Sequence, residues 1–446
     1  METVTYSVKI IHHNRIFSAT ASRYRKAVTY YMFVIEKEWQ DAFRLADGVK
    51  SAVRTAERLT LKSKQRPTVR YDFGAEFYKF PSYLRRSAIA KAFGMVSSYH
   101  SNHERWENAD PRERGAEPVL GKAGMIYPAM YRDNCFVRTG TYTARLKVWI
   151  RNTWDWIDIK LRKSDVDYIL HHCSGFKECV PTLQKRGKNW YLDFTFQYNT
   201  NLHNTDIREQ TILAVDLGIN SCCTCAAMRA DGTVIGRKFL KLPREYDCLR
   251  RRTGRIKRAQ RHGSHDVSGL WKLADGINDD IASKTAAFIM DAAALYHADT
   301  VVFEHLDLSG KKRGSKKQRL ALWKARKVQD IVQNRCHRAG MRISRICAWN
   351  TSRLAFDGSG KVMRGNESAR TGGSYSVCEF QNGRIYNCDL NAAYNIGARY
   401  YIRELTKSIP VTEWQRIQAK VPACAKRSTC TLSDLIRLFS VLYAAA

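Results

Sequence analysis

Three acidic residues stand where this chain could do chemistry. Asp216 closes the apolar run in TILAVDLGIN, Glu304 closes a second in ADTVVFEHLDL, and Asp389 opens the helix-like NCDLNAAYNIGARY. Each falls where the backbone changes direction at the rim of a predicted sheet, which is where an α/β core exposes reactive groups. Carboxylates brought together repel unless a cation neutralises them, and oxygen ligands suit the hard divalent ions Mg²⁺ and Mn²⁺. Acids that hold two such ions roughly 4 Å apart make a phosphodiesterase centre, one ion activating water and the other stabilising the leaving oxygen. A single aspartate after an apolar strand or at a helix start caps the element more often than it binds metal. The ordered trio is the more specific signal.

The composition says what such a centre would act on. The 446 residues include 75 Lys and Arg against 42 Asp and Glu, a formal net charge of +33. Self-repulsion on that scale calls for a polyanion, most commonly nucleic acid. A membrane partner is not expected: no apolar run approaches the roughly 18 residues of a spanning helix, and METVTYSVKIIHHN lacks the order of a signal peptide. The expected address is cytoplasmic or nucleoid-associated. The thirteen cysteines are scattered, and Cys222 and Cys225 form a CxxC in an apolar strand of a hairpin turning at Asp231-Gly232. With no second ligand pair nearby, they read as buried reduced thiols.

The elements that must position the acids follow from periodicity. Tyr6 to Ile11 reads as a strand, and residues from about Ser22 to Glu107 as helical. The clearest helix opens at Pro81-Ser82 with Ser82 as N-cap, and Leu84, Ala88, Ile89, Ala92, Phe93 and Val96 recur on one face. Arg85, Arg86 and Lys91 lie elsewhere on its surface as candidate nucleic-acid contacts. From about Gly115 the texture turns to strands: Thr141–Ile150, Trp156–Leu161, and the alternating Trp190, Leu192, Phe194, Phe196 and Tyr198 after a turn at Lys185–Lys188. A β-barrel or sandwich fits, completed by the N-terminal strand and interrupted by the helical region. After a polar linker (199–209) come strand, hairpin, basic helix, strand, helix and strand.

Two basic clusters flank the first two acids. Arg250, Arg251, Arg252, Arg255, Lys257, Arg258 and Arg261 crowd a stretch of helical pattern, and Lys311, Lys312, Arg313, Lys316 and Lys317 follow Glu304. Charge runs are usually solvated surface, but beside a metal site these point to phosphate-backbone contact. No Ser/His/Asp set, Walker loop or dinucleotide fingerprint stands out, and His12-His13 and His171-His172 read as polar surface or barrel positions.

The order of the acids is that of an RNase H-like core, and AVDLGIN, FEHLDL and CDLNAAYNIG resemble the three RuvC nuclease motifs of the TnpB family. These are RNA-guided nucleases of small insertion sequences, related to the miniature type V CRISPR effectors. The resemblance covers residues 207–405 by motif. It implies a multidomain α+β protein: a wedge-like β-barrel (1–20 and 116–206), a helical recognition domain inserted in it (21–115), a RuvC-like nuclease domain (207–346 and 389–446), and a target-strand loading lobe (347–388). It implies Asp216, Glu304 and Asp389 as metal ligands, two Mg²⁺ or Mn²⁺ ions, a guide RNA of transposon or CRISPR origin, and a double-stranded DNA target beside a short flanking motif. A single nuclease centre would cut both strands in turn, and sequence reading would be delegated to base pairing. The oligomeric state is left open.

One departure stands out. The family places a four-cysteine zinc ribbon between its second and third motifs, whereas this chain has Cys347, Cys378 and Cys388 there, without a CxxC but with Thr351-Ser352 retained. A zinc-free, glycine-rich lobe that gates the target strand is the expectation. A nuclease-inactive RNA-guided repressor, or an RNase H-like transposase or resolvase acting without RNA, are the alternatives.

Overall fold

Strand-forming and helical patterns alternate twice along the chain, and two compact units result, Met1–Asn199 and Thr200–Ala446. The computed structural model describes residues 2–11, 14–112, 114–218, 222–306, 324–407 and 409–443. Lys312, Arg313, Lys316 and Lys317 lie outside the described residues.

In the first unit, β1 (Glu2–Ile11) leads into α1 (Asn14–Lys37), α2 (Gly48–Thr60), α3 (Phe73–Glu76) and α4 (Ser82–Asn108). Then come β2 (Phe136–Gly140), β3 (Thr143–Ile150), β4 (Thr153–Leu161), α5 (Lys163–His172), β5 (Lys177–Glu178), β6 (Thr182–Arg186) and β7 (Asn189–Tyr198). The N-terminal strand is central: β1 pairs antiparallel with β7 from Glu2↔Tyr198 to Lys9↔Tyr191, and with β4 at Ile10↔Leu161. The sheet order is β2-β3-β4-β1-β7-β5, with β6 also on β7. Among the described residues its two ends do not pair, so the expected closed barrel is a curled half-barrel instead. Trp190, Leu192, Phe194 and Phe196 are buried in its core, as strand alternation requires.

The helical face of α4 is as its periodicity indicates, with Leu84, Ala88, Ile89, Ala92 and Val96 buried. Its cap is not. Pro81, extended at φ −59° and ψ 131°, holds the cap position, Ser82 is the first helical residue, and no side chain caps the helix. A proline there presets the entry angle, which displaces the serine by one position. Helix α5, which carries His171 and His172 in its last turn, had no signature among the sequence patterns.

The second unit holds β8 (Thr211–Asp216), β9 (Cys223–Arg229), β10 (Val234–Leu240), α6 (Pro243–Arg261), α7 (Ser268–Leu295), β11 (Thr300–His305), α8 (Ala325–Arg338) and β12 (Arg342–Cys347). Three short strands, β13 (Met363–Arg364), β14 (Val377–Glu379) and β15 (Ile385–Asn387), precede α9 (Cys388–Leu405), α10 (Val411–Lys420) and α11 (Leu432–Tyr443). The main sheet runs β10-β9-β8-β11-β12; β11 is parallel to β8 and β12, whereas β9 is antiparallel to both β8 and β10. Residues alternate between its faces. Ile212, Ala214 and Val302 pack with α9 and α11, and Leu213, Val215, Val301 and Phe303 pack with α7 and α8. Between β12 and α9, β13, β14 and β15 form a small antiparallel sheet over Ala355, Val362, Cys378, Phe380 and Cys388.

Helix α9 is buried along almost its whole length. Tyr401 Oη lies 2.7 Å from the carbonyl of Gln210 and 2.9 Å from that of Met228, and Arg403 reaches the Arg345 carbonyl at 3.0 Å. The helix comes so close to the sheet that a Cβ on Gly397 would overlap Sδ of Met228. Overpacking of a filled core typically costs about 1–3 kcal/mol. G397V is therefore expected to lower unfolding stability by about that amount in urea titration, with an unchanged m-value; a neutral or stabilising result would contradict this packing.

Candidate metal centre

Two of the three acids are placed by strand register alone. Asp216 is the last residue of β8, Glu304 is the penultimate residue of β11, and Val215 pairs with Phe303 across these parallel strands. Continuing that register sets Glu304 beside Asp216. Side chains alternate with period two, so both acids share the face of Ala214 and Val302, the face covered by α9. Asp389 sits in the first turn of that helix, where the helix dipole favours a negative charge. Asp389 is not the cap: Asn387 is, its side chain accepting from the Leu390 amide at 2.9 Å. All three acids are half-buried.

Their electrostatics are coupled. Burial, then the charges of Glu304 and Asp389, hold the Asp216 carboxyl well above the ordinary aspartate range. Burial also raises Glu304, opposed by the hydroxyl of Thr351 donating to Oε1 and by the nearby Arg399 guanidinium. The donor set is that of a hard divalent cation. Thr224 adds to it: it pairs directly across from Asp216 on β9, and among the described residues its buried Oγ1 has no hydrogen-bond partner. Among the described residues, however, no three His, Cys, Asp or Glu side chains are gathered closely enough to hold a metal ion. The acids feel one another's charge without closing a ligand cage. Chemically they fit the ion; their side chains would have to draw inward to hold it.

The other residues singled out by sequence fall in three places. Arg251, Arg255, Lys257, Arg258 and Arg261 project from α6 into solvent, with Arg252 half-buried and Ile256 as the one buried residue of that helix. None of these six basic residues forms an ion pair among the described residues. Arg85 and Arg86 converge on Glu57 at 3.0 and 3.1 Å, Arg85 largely buried and Arg86 exposed. Cys347 is exposed at the end of β12, Cys378 and Cys388 are buried, and Cys222, Cys223 and Cys225 are buried at β9. Sequence reasoning noted Thr351 only as a retained motif residue and missed Thr224 and Arg399. The last is 3% exposed, donates from Nε to the Cys430 carbonyl at 3.0 Å and from Nη1 to the carbonyls of Cys347 and Trp349 at 3.0 and 2.7 Å, and leaves Nη2 without a partner among the described residues. A visible signal was the spacing of Asn391, Asn395 and Arg399, three polar residues four apart inside an apolar helix.

Comparison with known proteins agrees with the TnpB resemblance. Residues 3–150 match the Aq_aa04 family. The chain is 28% identical over 237 residues to the TnpB-like protein aq_aa05 of Aquifex aeolicus (strain VF5), spanning 48% of this chain and 74% of that protein. Solved structures with similarity include a Cas12f1–sgRNA–target DNA complex (14% identity, TM-score 0.33, 89% of this chain and 99% of that one). Another is CasPhi-2 (Cas12j) bound to crRNA and phosphorothioate DNA (10% identity, TM-score 0.43, 90% of this chain and 92% of that one). In sequence, the chain resembles a TnpB-like protein.

The raised carboxyl has a consequence for stability. A fold that favours neutral Asp216 keeps that contribution whole below the unfolded pKa and loses it as pH rises through the higher folded value. D216N stays neutral throughout. In EDTA, the melting temperature of D216N minus that of the wild type should therefore grow from about pH 4 to pH 8. A difference that stays flat across differential scanning calorimetry runs in that range would remove the electrostatic coupling.

Proposed function

We propose that this chain is an RNA-guided endonuclease that cuts double-stranded DNA beside a short flanking motif, using one RuvC-type centre built on Asp216, Glu304 and Asp389. The carrying observation is the convergence of two adjacent parallel strand ends and one helix start on a single sheet face, with three mutually repelling acids. The motif resemblance and the TnpB-like relative support the reading. In it, the three carboxylates hold two Mg²⁺ or Mn²⁺ ions. When bound, these supply Lewis acidity and water activation for phosphodiester hydrolysis.

The chain's own residues do the rest. Asp216 and Glu304 are fixed by sheet register, so their spacing does not depend on a loop. Asp389 enters on a capped helix locked to that sheet. The free cations of α6 bind phosphate backbone without reading sequence, consistent with recognition delegated to a guide RNA. Residues 1–206 hold the RNA scaffold and read the flanking motif, with the helical segment 21–115 as an insertion in the β-structure, and residues 347–388 load the target strand.

Wild-type protein purified from its host should carry a discrete structured RNA and cleave a plasmid library bearing the matched target beside randomised flanks, only with Mg²⁺ or Mn²⁺. D216A should reduce cleavage to background while retaining the RNA and target binding. Full cleavage by D216A would remove the centre, and cleavage of defined DNA ends without RNA would favour the transposase or resolvase reading.

A further inference from the structure

Glu304 is held at both ends. Its carbonyl accepts from Gln329 Nε2 at 3.0 Å, and Gln329 in turn accepts from Arg345 Nε at 3.1 Å. Its carboxylate accepts from Thr351 through Oε1, and among the described residues Oε2 carries no hydrogen bond. Thr351 is 3% exposed and comes 47 positions later in the chain. Its single hydroxyl proton has two acceptors within reach, Glu304 Oε1 and the Ala348 carbonyl at 3.2 Å. A hydroxyl donates only once, and an ionised carboxylate is the stronger acceptor, so the bond to Glu304 forms whenever that acid is charged.

What aims Thr351 is a polar ladder on α9. Asn395 Nδ2 donates to the carbonyls of Thr351 at 2.9 Å and Leu354 at 2.8 Å. Asn391 holds Leu354 and Phe356 from the next turn, each at 2.8 Å, and Arg399 holds Cys347 and Trp349 from the turn beyond. Residues 391, 395 and 399 share one helix face and are all buried. Between the held carbonyls the chain turns through Asn350 at φ 58°, a left-handed conformation that asparagine tolerates. The same helix therefore carries Asp389 itself and fixes, through residues 347–356, the hydroxyl that grips Glu304.

We infer that Thr351 is a positioning residue of the metal centre: by occupying Oε1 of Glu304 it fixes the carboxylate rotamer and leaves Oε2 for a divalent cation, and the Asn391–Asn395–Arg399 ladder holds it in register with Asp389. The inference rests on the metal-centre reading of the acids. Outer-shell partners that orient a ligand typically change metal affinity by about 10–100-fold when removed.

The test is Mn²⁺ binding to the purified full chain, read by electron paramagnetic resonance of free Mn²⁺, with melting curves as a fold control. T351V, which keeps shape and loses the donor, should weaken Mn²⁺ binding about 10–100-fold, while T351S, which restores the hydroxyl, should return to within a few-fold of wild type. Should T351V not fold, T351A against T351S makes the same comparison. Wild-type affinity in T351V alongside lost affinity in E304Q overturns the role of Thr351 and leaves the centre standing. Wild-type affinity in E304Q and D216N overturns both.

Discussion

Repulsion among three carboxylates is the constraint around which the second unit is built. Adjacent strands lie about 4.7–4.9 Å apart, and parallel register puts Asp216 and Glu304 side by side on one face. Two like charges about 5 Å apart cost about 3 kcal/mol at an effective dielectric constant of 20, a sizeable share of a domain's net stability of about 5–15 kcal/mol. Something must offset that. Asp216 offsets it by favouring its neutral form, and Glu304 by taking a hydroxyl and the field of a buried guanidinium. A divalent cation would offset it with all three acids charged.

Helix α9 is where this constraint meets the packing. It approaches the sheet closely enough to need Gly397, and it anchors to Gln210 just before β8, to β9 and to β12 through Tyr400, Tyr401 and Arg403. Its polar ladder faces residues 347–356, and its first turn offers Asp389. Buried polar groups cost unless satisfied. Asn391 and Asn395 are satisfied on both their donor and acceptor atoms, whereas Arg399 keeps one nitrogen unpartnered among the described residues. The acids' relative placement is therefore a property of one rigid helix on one sheet, and not of the loops that follow each strand.

The parts legible in the sequence were those written in local pattern. Apolar β-forming runs ended at Asp216 and Glu304, and the structure ends β8 at Asp216 and β11 one residue past Glu304. Spacing of Leu84 to Val96 marked the buried face of α4. Elements defined by long-range geometry were not legible. Whether a sheet closes into a barrel depends on how its end strands meet, and β2 and β5 carry no local sign of that. Helix α5 is short and its mixed polarity leaves no clean stripe. Thr351 was visible only as a residue type, because its meaning lies in a bond to a strand 47 positions earlier. The CxxC at Cys222 was read rightly as buried for a local reason: its neighbours are those of a strand enclosed on both faces.

A very basic chain with an acidic centre raises an apparent conflict of sign. The exposed cations of α6 act at range, but screening confines each charge to a Debye length of about 8 Å at physiological ionic strength. A phosphate drawn in by the surface would still meet Asp216, Glu304 and Asp389 at short range and be repelled. Only a change of local sign would resolve this, and in the proposed centre a bound divalent cation would make that change. Cation and polyanion would then favour each other's binding, and thermodynamic linkage requires such an effect to be reciprocal. Under the proposed function the surplus charge and the acidic trio would act together: the surface would collect the polyanion, and the centre would accept it only once its own charge had been inverted.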